Sequence, residues 1–356
     1  MALQTCVLVT GVGGRSVGHQ ILHALLLLGD KYRIVAVDAD EFSFGLYQVK
    51  NSYIVPRANA PNYLSSLISI IKHEHVDAIL PGSEPEVRVL AQNQKAILST
   101  GCHVIVNPEE VIQLCSNKWQ IFNWLKTNGF ATPKTVCASE WRKLVDQVGF
   151  PLVGKPVTYT GGSRNVAILK DAIEVQKYLE ESQENQDEII FQEYIPNADE
   201  EYTVGVLISK DGELIDSIIL HRKLEGLSLG AKRKMNGSIF ALSSGYSQGF
   251  ILKHPLIQQS CEALALTLGI RGPLNIQCRL VTSNVEIFEV HPRFSGTTSI
   301  RAEAGFNEPD TLINNFLFGR KFNRLNYQNN VAAIRAFRSI LVPVADMNKV
   351  PRIGTQ

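Results

Sequence analysis

The chain has 356 residues, 45% of them hydrophobic, enough apolar material for two or three packed modules. Thirty-five Lys and Arg against 34 Asp and Glu leave a formal net charge of +1, which argues against nucleic acid or an anionic membrane as main partner. Six cysteines with no CxxC spacing speak against a zinc knuckle or redox pair and suit a reduced, cytoplasmic protein.

Residues 1–115 alternate strand and helix signals. Cys6-Val7-Leu8-Val9-Thr10 is a β-rich run that stops at Gly11, with no basic stretch before it of the kind a signal peptide carries. Residues 17–28 are apolar at helical spacing but too few to span a bilayer. Residues 34–38, 78–81 and 104–106 read as further buried strands, and residues 63–73 as an amphipathic helix. Short apolar strands separated by helices predict a parallel sheet with both faces covered, Rossmann-like in architecture.

Residues 116–185 change character. A helix over 118–128 runs up to Gly129, and Pro133 opens an extended segment. Residues 151–156 form a strand with Lys155 near its end; 166–169 form another, followed by a helix to about residue 183. From 188 onward strands dominate, at 189–194, 202–208, 215–220, 274–280 and 285–290, with helices at 256–268 and 311–318. The tail from about residue 325 shows one strand-like patch and is otherwise unassigned.

Five motifs carry chemistry, each with a plainer reading beside it. Gly11-Val12-Gly13-Gly14-Arg15-Ser16-Val17-Gly18 lies between strand and helix, where backbone N–H groups can meet an anion. Asp38 and Asp40 follow as an acidic ribose partner would, but Ser16 breaks G-x-G-x-x-G, and a tight turn without ligand is the alternative. Lys118 and Lys155 are candidate phosphate partners or surface lysines; the apolar strand around Lys155 makes a bare charge there costly. Thr158 to Arg164, with Gly161, Gly162 and Ser163, reads as a phosphate-covering hairpin or a plain one. The strand end Glu193-Tyr194-Ile195 can face a purine edge and Glu201 ribose hydroxyls; an acidic loop before an edge strand is the alternative. Glu289 and His291, two apart on one strand, face one side together with Gln277 on the neighbouring strand. This set suits Mg²⁺, with Arg293 placed as a planar donor for a transferring phosphoryl group; a cross-strand polar pair with a core histidine is the alternative. The basic stretch from Arg222-Lys223 to Lys232-Arg233-Lys234 reads as a loop, either solvated or closing over substrate.

In order, these residues resemble the ATP-grasp superfamily, and within it carboxylate–amine ligases similar to the carbamoyl-phosphate synthase large subunit and biotin carboxylase. The most specific piece is Glu289-Val290-His291-Pro292-Arg293-Phe294-Ser295-Gly296. The resemblance implies an α/β chain: a Rossmann-like pre-ATP-grasp domain over residues 1–115, then an α+β ATP-grasp fold in two subdomains, 116–185 and 186–325, and a C-terminal segment 326–356. It implies that Lys118 and Lys155 contact ATP phosphates and that Gly161, Gly162 and Ser163 lie in a closing loop. Glu193, Tyr194 and Ile195 would hold adenine, Glu201 ribose, and Gln277, Glu289 and His291 Mg²⁺, with Arg293 and Lys155 catalytic. The family usually has asparagine where His291 stands, so Mn²⁺ is expected to serve at least as well as Mg²⁺.

The reaction implied is activation of a small carboxylate as an acyl phosphate and its capture by an amine, with ADP and phosphate released. The expected partners are small-molecule carboxylates and amines, with no nucleic acid and no membrane; a homodimer is the default assembly. Two other readings stand beside it: an NAD(P)-dependent oxidoreductase built on the first domain, and an ATP-binding module without catalysis.

Overall fold

Five short runs of the first hundred residues pair into one all-parallel sheet: β1 (Cys6–Thr10), β2 (Arg33–Asp38), β3 (Asn51–Ile54), β4 (Ala78–Leu80) and β5 (His103–Val104), in the order β3-β2-β1-β4-β5. The structure, a computed structural model, describes residues 4–158, 165–182, 188–196, 198–235 and 238–355. Every residue of β1 is buried, as a central parallel strand covered on both faces requires. Apolar clusters lie on either face, one around Ile21, Leu22 and Leu25 and the other around Leu67, Ile70 and Leu90. Strand β3 escapes a reading by pattern because only Ile54 in it is buried. Its outer edge is paired by the unassigned tail: Pro351 O accepts from Ile54 N at 2.8 Å, and Ile353 N donates to Ile54 O at 2.9 Å, which removes an open sheet edge.

A four-stranded antiparallel sheet follows, built from β6 (Thr135–Cys137), β7 (Leu152–Pro156), β8 (Ala167–Leu169) and β9 (Ile189–Glu193) in the order β6-β9-β7-β8. Helices Trp141–Val148 and Ala172–Glu181 cover it, with Trp141, Leu144, Leu152, Val175 and Phe191 in their shared core.

Strands β10 (Glu201–Ile208) and β11 (Leu214–Arg222) begin the largest sheet. The chain then forms a separate hairpin of β12 (Leu229–Met235) and β13 (Ser238–Ser243). It returns through β14 (Gly249–Leu252), β15 (Gly272–Val281), β16 (Asn284–His291) and β17 (Val331–Ala333) to complete the order β16-β15-β10-β11-β14-β17. The basic stretch expected to be a loop is therefore largely strand. Residues 231–234 are exposed and show no apolar alternation; their pairing with 239–242 makes them a strand, and such pairing is not visible in a local window. Helix Pro255–Thr267 packs Ile257, Cys261 and Leu264 onto the sheet. Among the described residues no helix is long and apolar enough to cross a membrane.

Candidate functional site

Register brings the acid and the amide together. On β15 and β16, Gln277 lies opposite Glu289 and Asn275 opposite His291. Gln277 Nε2 donates to Glu289 Oε2, and His291 Nε2 lies 3.0 Å from Glu289 Oε1. The other ring nitrogen of His291 lies 3.4 Å from Oε1 of Glu84. Arg293 Nε donates to that same Glu84 oxygen at 2.5 Å, and its Nη1 donates to Phe294 O at 2.7 Å. Glu84 is the first residue of helix Glu84–Gln92, just past the carboxyl end of β4 and capped by Ser83. The first sheet thus contributes a side chain to the site from the end of its strands where α/β folds present ligand groups.

Both lysines reach the same cavity, whose volume is 270 Å³ and whose wall includes Lys118, Lys155, Gln277, Glu289, His291 and Arg293. Lys155 is 7% exposed on β7, with its ammonium 5.1 Å over the Phe122 ring. Burial lowers its pKa to about 7 although Glu289 pulls the other way. Lys118 opens helix Lys118–Thr127 and donates from Nζ to Thr158 O at 2.9 Å. Burial lowers it to about 8, opposed by Glu289 and Glu84. Burial alone would raise Glu289, but the charges of His291, Lys155 and Lys118 hold it down at about 2. Glu84 is likewise held well below the carboxylate range against its burial, chiefly by Arg293 and then His291.

Strand β9 ends at Glu193, whose carboxylate accepts from Lys134 N at 3.2 Å. Tyr194 and Ile195 follow on the cavity wall; Tyr194 Oη accepts from Ala241 N at 2.8 Å, which ties the β12–β13 hairpin to the strand end. Glu201 also lines the cavity but is only 1% exposed, clamped between Arg279 (2.9 Å) and Arg222 (3.2 Å). Gly161, Gly162 and Ser163 lie outside the described residues.

The sequence gives Arg279 no role and Arg222 only a place in the basic stretch, yet both stand on the cavity wall. Arg279 stands directly opposite Glu201 across β10 and β15, two residues past Gln277 and so on the same strand face; that spacing is a signal pattern could have used. Arg222 closes β11, donates to Gln277 Oε1 at 2.8 Å, and is reached only through folding. The Gly-rich turn is closed by the chain itself: Gly13 N donates to Asp38 Oδ2 at 3.0 Å, and Ser16 caps helix Val17–Leu26. Asp38, the candidate ribose partner of a dinucleotide fold, is thus spent on its own turn. From this turn only Arg15 and Val17 reach the cavity wall.

The donor set fits a hard dication in part. Glu289 and Gln277 offer a carboxylate and an amide on facing strands, suited to an ion that keeps water and phosphate oxygens. His291 has both ring nitrogens against carboxylates. Among the described residues no cluster of three or more His, Cys, Asp or Glu could hold a metal by itself.

Two family models match the chain: "PylC-like, N-terminal domain" over residues 7–105 and "ATP-grasp in the biosynthetic pathway with Ter operon" over residues 185–338. Carbamoyl phosphate synthase large chain of Thermus thermophilus is 25% identical over 253 residues, covering 68% of this chain and 23% of that protein. The Pasteurella multocida protein of that name is 28% identical over 222 residues, covering 61% and 20%. The chain spans about a quarter of the length of these curated relatives. Among solved structures, N5-carboxyaminoimidazole synthetase from Staphylococcus aureus complexed with ADP matches with a TM-score of 0.62 at 14% identity, covering 92% of this chain and 81% of that one. The biotin carboxylase domain of Hydrogenobacter thermophilus 2-oxoglutarate carboxylase matches at 0.62 and 15%, covering 90% and 70%. L-amino acid ligase from Bacillus licheniformis matches at 0.62 and 16%, covering 89% and 75%. With a parallel-sheet domain preceding two antiparallel sheets, and with family models matching residues 7–105 and 185–338, the chain has the fold of the ATP-grasp enzymes it is similar to.

Proposed function

We propose that the chain is an ATP-dependent ligase that activates a small carboxylate as an acyl phosphate and transfers the acyl group to an amine, releasing ADP and phosphate. One observation carries this reading: Lys118, Lys155, Gln277, Glu289 and Arg293, drawn from three separate parts of the chain, share a single cavity with the strand end Tyr194–Ile195. Superfamily members generally use ATP with Mg²⁺, and two of the matched structures are complexes with ADP.

In this reading the base lies against Tyr194 and Ile195, beside Arg279, and residues 116–185 and 186–325 act as two halves that enclose the nucleotide. Lys118 and Lys155 match phosphate charge; bound phosphate would favour the protonated form that burial disfavours. Glu289 and Gln277 would hold Mg²⁺, with His291 beside them, and the ion would supply charge neutralisation at the transferring phosphoryl group. Arg293, oriented by Glu84, presents a planar donor to that group. The substrate carboxylate attacks the γ-phosphorus in line, and the amine then displaces phosphate from the acyl carbon. The surrounding residues mainly orient the reactants and exclude water. Glu201 enters as an arginine-clamped carboxylate whose contact with ribose would require sharing it with Arg222 and Arg279.

The test is an ADP-release screen over paired carboxylates and amines, with products identified by mass spectrometry. A pair-dependent release with a new amide mass is the expected result; a chain whose thermal midpoint does not respond to MgATP, or that releases no ADP with any pair, would overturn the reading. Because imidazole is a softer donor than the amide usual at position 291, Mn²⁺ is expected to support turnover at least as well as Mg²⁺. Activity with Mg²⁺ alone would remove His291 from the donor set.

A further inference from the structure

Beyond the phosphate lysines, the cavity wall carries one cation that, among the described residues, faces no acid. Arg15 projects from the Gly-rich turn, lines the cavity, and places its guanidinium 5.3 Å over the Tyr246 ring. Among the described residues no carboxylate lies within ion-pair range of it, whereas Arg222, Arg279 and Arg293 each face an acid. Glu84, Glu193 and Glu289, the acids of the wall besides Glu201, are each engaged elsewhere: by Arg293 and His291, by the Lys134 amide, and by His291 with Gln277.

The surroundings of Arg15 are held in place. Arg335, from the tail, lies 5.1 Å from the same Tyr246 ring. Its Nη2 donates to Gly296 O at 2.6 Å, Gln20 Oε1 at 3.0 Å and Ser299 Oγ at 3.2 Å. It thereby joins the first helix to the loop that follows Arg293. In that loop Ser295 and Thr297, both buried and both on the cavity wall, share a hydroxyl–hydroxyl bond of 2.6 Å. A fixed ring, hydroxyls and an unmatched planar guanidinium are the groups that recognise a carboxylate.

Resting on the ligase reading, we propose that this end of the cavity binds a carboxylate that does not react, and that this carboxylate belongs to the amine substrate, making the acceptor an α-amino acid. The carboxylate under activation cannot serve as the anchor, since it must reach the γ-phosphate. Arg15 would pair with the acceptor's carboxylate, leaving its amino group to attack the acyl phosphate; the new N–C bond forms as the C–O bond to phosphate breaks, and the proton lost by the amine passes to the departing phosphate or to water.

The test uses the full chain with MgATP, a set of mono- and dicarboxylic acids as donors, and L-amino acids beside their α-carboxamides as acceptors. The acid form of an effective acceptor should exceed its amide by at least about tenfold in kcat/KM. Arg15→Ala should raise the acceptor KM by about tenfold or more while the KM for ATP stays within about twofold, and Arg15→Lys should recover part of the loss. Amides that match the acids, an unchanged acceptor KM in Arg15→Ala, or turnover that needs a dicarboxylate donor with a carboxylate-free amine would each overturn the subsite. A chain that responds to MgATP and releases ADP with other amines but with no amino acid would overturn the subsite alone. Failure to bind MgATP would remove the ligase reading and the subsite with it.

Discussion

At the residue scale, Glu289 is the group on which the opposing charges of the site converge. It is the largest charge-based influence raising both lysines, and they in turn help hold it ionised. Glu289→Gln would remove the hard anionic donor, take from Lys155 its counter-charge and leave Lys118 with that of Glu84. ADP release is expected to fall by about a thousandfold, equivalent to roughly 4 kcal/mol, with an unchanged far-ultraviolet dichroism spectrum; retention of more than about a tenth of the activity would exclude Glu289 as a metal ligand. Glu86 makes a different prediction. Burial, the largest cause, raises it from 4.5 to about 7. Between those values the folded chain holds a proton that the unfolded chain has released. The stability this contributes is fully present below about pH 4.5 and is lost as pH rises through about 7. Glu86→Gln should match the wild type near pH 4.5 and exceed it at pH 8 by up to about 3 kcal/mol. Urea midpoints at the two pH values check this, and a difference independent of pH would contradict it.

At the element scale, the turn between β1 and helix Val17–Leu26 acts by close approach. A Cβ on Gly18 would stand 2.1 Å from Thr10 O and 2.3 Å from Gly11 O, both backbone atoms that have no slack to give. Gly18→Ala is therefore expected to lower stability by at least about 2 kcal/mol through overpacking, read as a drop in the thermal midpoint. It should also weaken turnover, because the same turn carries Arg15. A neutral midpoint would show that helix and strand can separate without cost. The β12–β13 hairpin shows the limit of pattern reading at this scale. Its exposed basic strand has the composition of a loop, and its identity depends on a partner strand and on the Tyr194–Ala241 contacts.

At the scale of the whole molecule, Glu84 joins the first sheet to β16. It receives Arg293 and faces His291 across a sequence separation of more than 200 residues. Glu84→Gln keeps the shape but removes the carboxylate that pairs with Arg293. The expected outcome is a kcat lowered by about tenfold to a hundredfold with the KM for ATP little changed, since in the proposed function Arg293 serves the transferring group rather than the nucleotide. Equal losses in both parameters would make Glu84 a general structural brace instead. Much of this site was legible in advance. The spacing of Glu289, His291 and Arg293, with Gln277 on the preceding strand, required only strand periodicity. Glu84 and Arg279 were given no role, and Arg222 only a place in a basic stretch expected to be a loop, because a charged residue in a single sequence looks the same whether it meets water or another buried charge.

The sequence by itself determined the alternation of apolar strands and helices, the class of fold, and the face of β16 that carries the acid. These follow from local periodicity, which each segment holds within its own residues. Only the tertiary structure decided that Glu201 is clamped by two arginines, that Asp38 closes its own turn, that the tail pairs with β3, and that Arg15 faces the cavity with no acid beside it among the described residues. Each of these depends on which distant charge or backbone edge is brought within a few ångströms, and that is set by packing across the whole chain rather than by any window of it.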